Sequence, residues 1–247
     1  MGIPLPSVKK IIGVISGKGG VGKSSISSAI AQTLKGNVGL LDADIYGPSI
    51  PRIFNLENLG KPEIDNKGFM LPLKNFNVSC MSMGFLAGKS ATMWRGMMVM
   101  KGIQDMIWKT NWGNLDYLII DFPPGTGDAQ MTIFQQLKID SCVVVSTPQV
   151  LSIIDAEKGI QMLEKMNIPI SALVKNMSVV NCHSCHTLQP LFPDPKHPIW
   201  TKYNTVVVPF DHKVSLNVDN GIPIMQNASK EFSVKINDIC TAIDSTQ

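Results

Sequence analysis

Near the amino end, Gly17-Lys18-Gly19-Gly20-Val21-Gly22-Lys23-Ser24 has the residue types needed to hold a polyphosphate and fits the pattern G-x-x-x-x-G-K-[ST]. Glycines let the backbone curl so that successive N–H groups point inward at phosphate oxygens. A helix starting where the loop ends adds the positive end of its dipole. Lys23 is then expected at the β and γ phosphates, and the Ser24 hydroxyl on Mg²⁺. Ser25 completes the expected nucleotide-binding run, Gly17 to Ser25.

A magnesium nucleotide also needs carboxylates. Asp121 follows Tyr-Leu-Ile-Ile at the carboxyl end of a strand-like run, the place for a carboxylate that holds Mg²⁺, usually through water. Asp42 and Asp44 end a second such run. One of them is expected to orient the attacking water: Asp44 is the choice, and Asp42 reads equally well as a turn cap. Lys18 is not required by the local cradle. It reads either as a solvated lysine or as a cation reaching a nucleotide across a two-fold interface. The expected catalytic set is Lys23, Asp44 and Asp121, for ATP hydrolysis, joined by Lys18 in the reading where it reaches across the interface.

These residues must be positioned by strands and helices in alternation. Strand-like runs are expected at 9–16, 38–41, 77–83, 115–121, 141–146, 170–174 and 206–210. Helical spacing is expected at 23–34, 94–109, 128–137, 152–166 and 230–243. Continuous apolar strands between helices indicate an α/β doubly wound, mostly parallel sheet covered on both faces. The Asp65-Asn66-Lys67-Gly68 turn signal places a hairpin in 60–75. Residues 181–205, proline-rich, are the least regular part. Methionines in 93–106 (Met93, Met97, Met98, Met100, Met106) read as core filling, against a metal-binding or client-facing surface.

Length and composition fit one domain: 247 residues, 44% hydrophobic and 17% charged, enough to bury a core. A net charge of +3 is too small to point to nucleic acid. No apolar run approaches a membrane span. The first residues carry neither a secretory h-region nor an Arg-rich presequence. Among the five cysteines, Cys80 and Cys142 lie in apolar runs and are expected as core hydrophobes, which disfavours a disulfide framework.

Together these residues resemble the deviant Walker A ATPases that include nitrogenase iron protein, MinD and ParA, with Lys18 as the signature lysine. Within that class the chain resembles the Mrp-type iron–sulfur cluster carriers. The match runs through LLDADIYGPSIPRIF (40–54), CMSMGF (80–85), WRGMMVMKGI (94–103), DYLIIDFPPGTGDAQ (116–130), VVSTPQ (144–149) and VKNMS (174–178). PPGTGDAQ and the MVM after WRGM are closest to the mitochondrial branch implicated in complex I assembly. The resemblance implies a homodimeric, ATP-dependent scaffold that holds a labile [4Fe–4S] cluster and passes it to apo-proteins. It places Asn176 at the adenine and implies a mitochondrion or related organelle, whereas the missing presequence points to the cytosol, or to a very short or removed signal.

Cys182-His183-Ser184-Cys185 stands where that family keeps its C-x-x-C. Thiolates ligate iron–sulfur clusters, and two per chain supply the usual four only if two chains meet. The spacing therefore argues for a bridging cluster. Rival readings are a zinc site completed by two of His183, His186, His197 and His212, a C-x-x-C-H haem attachment with His186, and a thioredoxin-like redox pair. The histidines depart from the small residues usual around the pair, and 187–205 departs from the family's glycine-containing segment. That puts partner contacts in doubt but not nucleotide binding. Two other functions stay open: a MinD/ParA-type positioning ATPase and a nucleotide-dependent zinc-binding assembly factor. The former needs a basic amphipathic carboxyl-terminal helix or a basic patch, and KEFSVKINDICTAIDSTQ is mixed in charge.

Overall fold

The structure, a computed structural model, describes residues 2–45, 47–87, 96–182, 184–185 and 187–246, with only the backbone of Ala87, Gly96 and Met97. The expected Met93, Trp94, Arg95, His183 and His186 lie outside the described residues.

Apolar, β-branched runs form the sheet. β1 (Val8–Ile15) leads through the glycine loop into α1 (Lys23–Thr33), followed by β2 (Val38–Asp42) and the short α2 (Ile50–Ile53). Next come β3 (Leu73–Asn75), β4 (Val78–Ser82), α3 (Met83–Ala87) and α4 (Gly96–Trp108). β5 (Leu115–Asp121), α5 (Asp128–Gln136), β6 (Ser141–Ser146), α6 (Val150–Lys165) and β7 (Ile170–Lys175) continue the alternation. The rest comprises β8 (Val179–Asn181), β9 (Leu188–Pro190), α7 (Ile199–Lys202), β10 (Thr205–Val207), α8 (His212–Asn220) and α9 (Lys230–Ser245).

Among the described residues the main sheet has eight strands in the order β10-β7-β6-β1-β5-β2-β4-β3. Its strands pair in parallel except for the antiparallel edge pair β3–β4. Right-handed crossovers put α1 on one face and α4, α5 and α6 on the other. Both faces are thus covered, and β2, β4 and β6 are buried along their whole length, as continuous apolar runs require. The doubly wound expectation holds.

The differences are local. The hairpin expected in 60–75 is present but short: Ile64 bridges Met70, the Asp65 N–H donates to the Phe69 carbonyl and the Leu71 N–H to the Glu63 carbonyl, each at 2.8 Å, and the Asp65 carboxylate closes the turn by accepting from the N–H groups of Lys67 and Phe69. The edge strand β3 was not expected; it is only three residues long. Residues 181–205 hold more order than their composition suggests, with β8 and β9 paired as a separate two-stranded sheet and α7 beyond it. The strand expected to 210 ends at Val207, and its continuation bridges β8 through Phe210. In α4, Met106 is fully buried beside Ile103 and Ile107, as core filling predicts, but Met98 is 52% exposed. Cys80 and Cys142 are fully buried, and every cysteine is a free thiol.

Close packing beneath the glycine loop gives a test. A Cβ on Gly13, in the middle of β1, would stand 2.8 Å from the Cys142 sulfur and 2.9 Å from Phe122, whose ring stacks on Phe134. Gly13→Val is expected to cost about 1–3 kcal/mol by overpacking, read as a lower urea midpoint for unfolding at unchanged slope.

Candidate nucleotide site and thiol hairpin

The site forms where the sheet reverses its winding. β1 lies between β5 and β6, so its carboxyl end opens a crevice of the kind that binds ligands in doubly wound sheets. Gly20 and Gly22 take positive φ of 80° and 85°, a region that penalises any side chain. A Cβ at Gly19 or Gly20 would meet no protein atom and would project into open space. Gly17 is different: its Cβ would collide with the Asp155 carbonyl, so this glycine permits close packing against α6. The loop lines a cavity of about 330 Å³ with Ser16, Lys18, Gly19, Gly20, Gly22, Lys23, Ser24 and Ser25. Asp44, Ser49, Arg52, Ile53, Pro124 and Val218 form its other walls. Val21, by contrast, is buried beneath the loop.

Asp121 is the centre of this site. Fully buried at the end of β5, it accepts from Lys23 Nζ at 2.8 Å on one oxygen and from Ser24 Oγ at 2.6 Å on the other. Lys23 is itself almost wholly buried, so the pair sits in a low-dielectric setting where losing one partner would strand a charge. Ser24 Oγ and the Asp121 carboxylate are hard oxygen donors, already adjacent at the rim of the glycine loop. That donor set fits Mg²⁺.

Asp42 and Asp44 separate into two roles. Asp42, aligned with Asp121 across the β2–β5 pair, is fully buried. Its carboxylate accepts from the N–H groups of Asp44 at 3.1 Å and Ile50 at 3.2 Å and from Ser82 Oγ at 3.0 Å. It braces the turn after β2, the alternative open in the sequence. Burial, then the Asp121 charge, pushes its carboxyl up to about 7. Asp44 instead lines the glycine-loop cavity and a neighbouring one bounded by Pro123, Pro124 and α5, and accepts from the Gly47 N–H.

Asn176 is 5% exposed and donates from Nδ2 to the Val21 carbonyl at 2.8 Å. A Cβ on Gly22 would collide with that same amide. Asn176 thus locks the glycine loop from below, a contact its sequence position did not disclose. It also lines a cavity of about 140 Å³ that shares Gly22, Ser25 and Val218 with the phosphate-side cavity and is walled by Pro209, Phe210, Asp211 and Val214. This second wall was missed in the sequence because it comes from a short strand end and α8, distant from every motif.

Cys182 and Cys185 sit at the tip between β8 and β9. Cys182 is partly exposed and Cys185 exposed. The tip is closed by the Cys182 N–H donating to the Thr187 carbonyl at 3.0 Å. Cys185 Sγ lies 2.9 Å from Thr187 Oγ1, and hydrogen bonding from the Thr187 side chain and backbone pulls the thiol below its usual range. Two accessible thiols, one of them at Cys185 with its thiolate favoured, are suited to ligating soft metal centres. The hairpin is fastened to the wall of this second cavity: Phe210 N–H donates to Val179 O at 2.7 Å and Ser178 N–H to Val208 O at 3.2 Å. Of the histidines proposed for zinc, His197 accepts the Ile199 N–H at the start of α7, and His212 lines a cavity with Cys182. Among the described residues no three His, Cys, Asp or Glu side chains converge as a metal site, so a complete zinc set within one chain is not formed by them. The pair also opens no helix, unlike a thioredoxin motif.

The raised Asp42 carboxyl has a signed consequence. Between the unfolded value of 3.8 and about 7, the folded protein holds a proton that the unfolded chain has released. Stability therefore falls as pH rises through that window, by at most about 1.4 kcal/mol per pH unit. Urea unfolding of metal-free protein from pH 4.5 to 7.5 is expected to show this slope, and Asp42→Asn to flatten it; parallel curves for the two proteins would exclude the assignment.

Comparisons with known proteins place the chain in a family. The NUBPL iron-transfer P-loop NTPase family, of the ParA type, matches residues 7–244. The mouse iron-sulfur cluster transfer protein NUBPL is 48% identical over 188 residues, 74% of this chain and 58% of the mouse protein. An Arabidopsis thaliana protein named iron-sulfur protein required for NADH dehydrogenase, mitochondrial, is 48% identical over 187 residues, 74% of this chain and 59% of its own length. The matched region thus spans just under three fifths of these two relatives. Among solved structures, the nucleotide-binding protein of Archaeoglobus fulgidus in complex with ADP superposes with a TM-score of 0.79 at 33% identity, covering 92% of each chain. The glycine loop, the strand-end carboxylates and a match across nearly the whole chain make this protein a member of the NUBPL iron-transfer P-loop NTPase family.

Proposed function

We propose that this chain is a nucleotide-dependent iron–sulfur cluster carrier that hydrolyses Mg-ATP slowly, as a switch, and delivers a [4Fe–4S] cluster to apo-proteins. The observation that carries this reading is the thiol hairpin. It offers an accessible C-x-x-C pair with one thiol lowered by Thr187, fastened by main-chain hydrogen bonds to the wall of the nucleotide crevice. The names of the mouse and Arabidopsis relatives support the cargo, and the ADP complex of the Archaeoglobus relative supports the nucleotide.

In this reading two chains meet, and Cys182 and Cys185 of each supply four thiolates to one cluster. Gly17, Gly19, Gly20, Val21 and Gly22 present backbone to the phosphates, with Ser25 at the start of α1. Ser24 and Asp121 would hold Mg²⁺, which when bound neutralises developing phosphate charge. Lys23 exchanges its Asp121 partner for phosphate oxygens. Asp44, at the cavity wall, orients the attacking water, and Lys18 acts across the dimer. Asn176 serves from the boundary of the two cavities, holding the loop while facing the base. The Arabidopsis name supports a mitochondrial setting. A positioning ATPase is disfavoured by α9, whose apolar face is spent inside the fold through Phe232, Ile236, Ile239 and Ile243.

Anaerobic reconstitution with iron and sulfide is the test. Wild type is expected to retain about four iron and four sulfide per two chains, and Cys182→Ala/Cys185→Ala none above background. Equal retention by both would end the cluster reading, and zinc in place of iron would favour the zinc-binding alternative. Lys23→Ala is expected to lose ATP hydrolysis by about two orders of magnitude, while the cysteine variant keeps it.

A further inference from the structure

Arg52 lines the glycine-loop cavity together with Lys18, Lys23 and Ser24. Its helix, α2, is held rigidly: Ile50 and Ile53 are buried, and the Ile50 N–H donates to Asp42. Among the described residues the guanidinium makes two contacts. One N–H donates to Glu57 Oε2 at 3.2 Å, and another to the Asp219 carbonyl in the last turn of α8. Val218, next to Asp219, lines both the phosphate-side and the base-side cavities. Arg52 is thereby placed at the junction of the two.

The charge balance of the cavity leaves a role for it. After Mg²⁺ is counted, a bound triphosphate keeps about two negative charges. Among the lining residues the cations are Lys18, Lys23 and Arg52, against Asp44. Lys23 supplies one charge, and its own neighbour is the anionic Asp121. Lys18 is assigned across the dimer in the reading above. Arg52 is the cation left in cis. Its fork carries five N–H donors, so phosphate oxygens can be met without breaking the Asp219 contact. The Glu57 pair is exposed on both sides and is worth about 0–1 kcal/mol, too little to hold the guanidinium away from a phosphate.

We propose that Arg52 is a phosphate-contacting residue of the nucleotide site, binding the phosphates nearest the sugar; this rests on the nucleotide reading of the Gly17–Ser25 loop. Placement beside Val218 means that ADP and ATP both feel it and adenosine does not.

Calorimetric titration of the full chain with MgADP, MgATP and adenosine tests this in wild type, Arg52→Gln, Arg52→Lys and Glu57→Gln. Arg52→Gln is expected to weaken both nucleotides about tenfold, the scale of one charge-assisted hydrogen bond, with adenosine within about twofold. Arg52→Lys recovers part of the loss, and Glu57→Gln binds at least as tightly as wild type. The inference is overturned if Arg52→Gln binds both nucleotides as wild type does. An equal loss for adenosine also overturns it, since that marks Arg52 as a brace between α2 and α8, as does the same loss in Glu57→Gln. Wild type that binds neither nucleotide removes the cradle reading itself, a result distinct from failure of Arg52 alone.

Discussion

The Asp121 carboxylate is the interaction on which this architecture turns. It ends a strand at the centre of the sheet and gives one oxygen to Lys23 and the other to Ser24, the first two residues of α1. Sheet, glycine loop and helix are thereby joined at a single buried group. The cost of burying Asp121 and Lys23 is met only because they are paired. A third contact completes the arrangement: Asn176, from the end of β7, bonds to Val21 and fills the space that a side chain at Gly22 would need. The loop's shape is therefore set by three strands as well as by its glycines.

Much of this was legible in the sequence because the signals were local. The Gly17–Ser24 pattern, Asp121 after an apolar run, and the alternation of strand and helix each arise from neighbouring residues, and the structure keeps them. What stayed hidden depends on distant chain segments. Asp42 and Asp44 look equivalent in sequence, yet one is closed over by Ile50 and Ser82 and the other faces two cavities. Asn176 carried an implied base contact, while its bond to Val21 spans most of the chain. The run at 206–210 was expected as a strand, but its place beside the glycine loop and the Arg52 contact with α8 join segments far apart in sequence, which no local signal reveals. The order in 181–205 was hidden by proline, although Leu188–Pro190 pairs at an edge where a missing N–H is tolerated.

The thiol hairpin and the nucleotide crevice share one piece of backbone. Pro209, Phe210 and Asp211 wall the smaller cavity beside Asn176, while Phe210 and Val208 bond to Val179 and Ser178 at the root of the hairpin. A proposed carrier that loads and releases cargo in step with its nucleotide needs some physical connection between the two sites. This segment is a short one, made of main-chain hydrogen bonds.

In the proposed carrier, two chains share one cluster through Cys182 and Cys185 while each holds its own nucleotide. Anaerobic native mass spectrometry of the reconstituted protein with Mg-ATP measures this directly. The account predicts a species of two chains carrying a single four-iron, four-sulfide cluster, absent when both cysteines are replaced. A monomer that retains the full cluster, or a dimer carrying zinc and no sulfide, would contradict it.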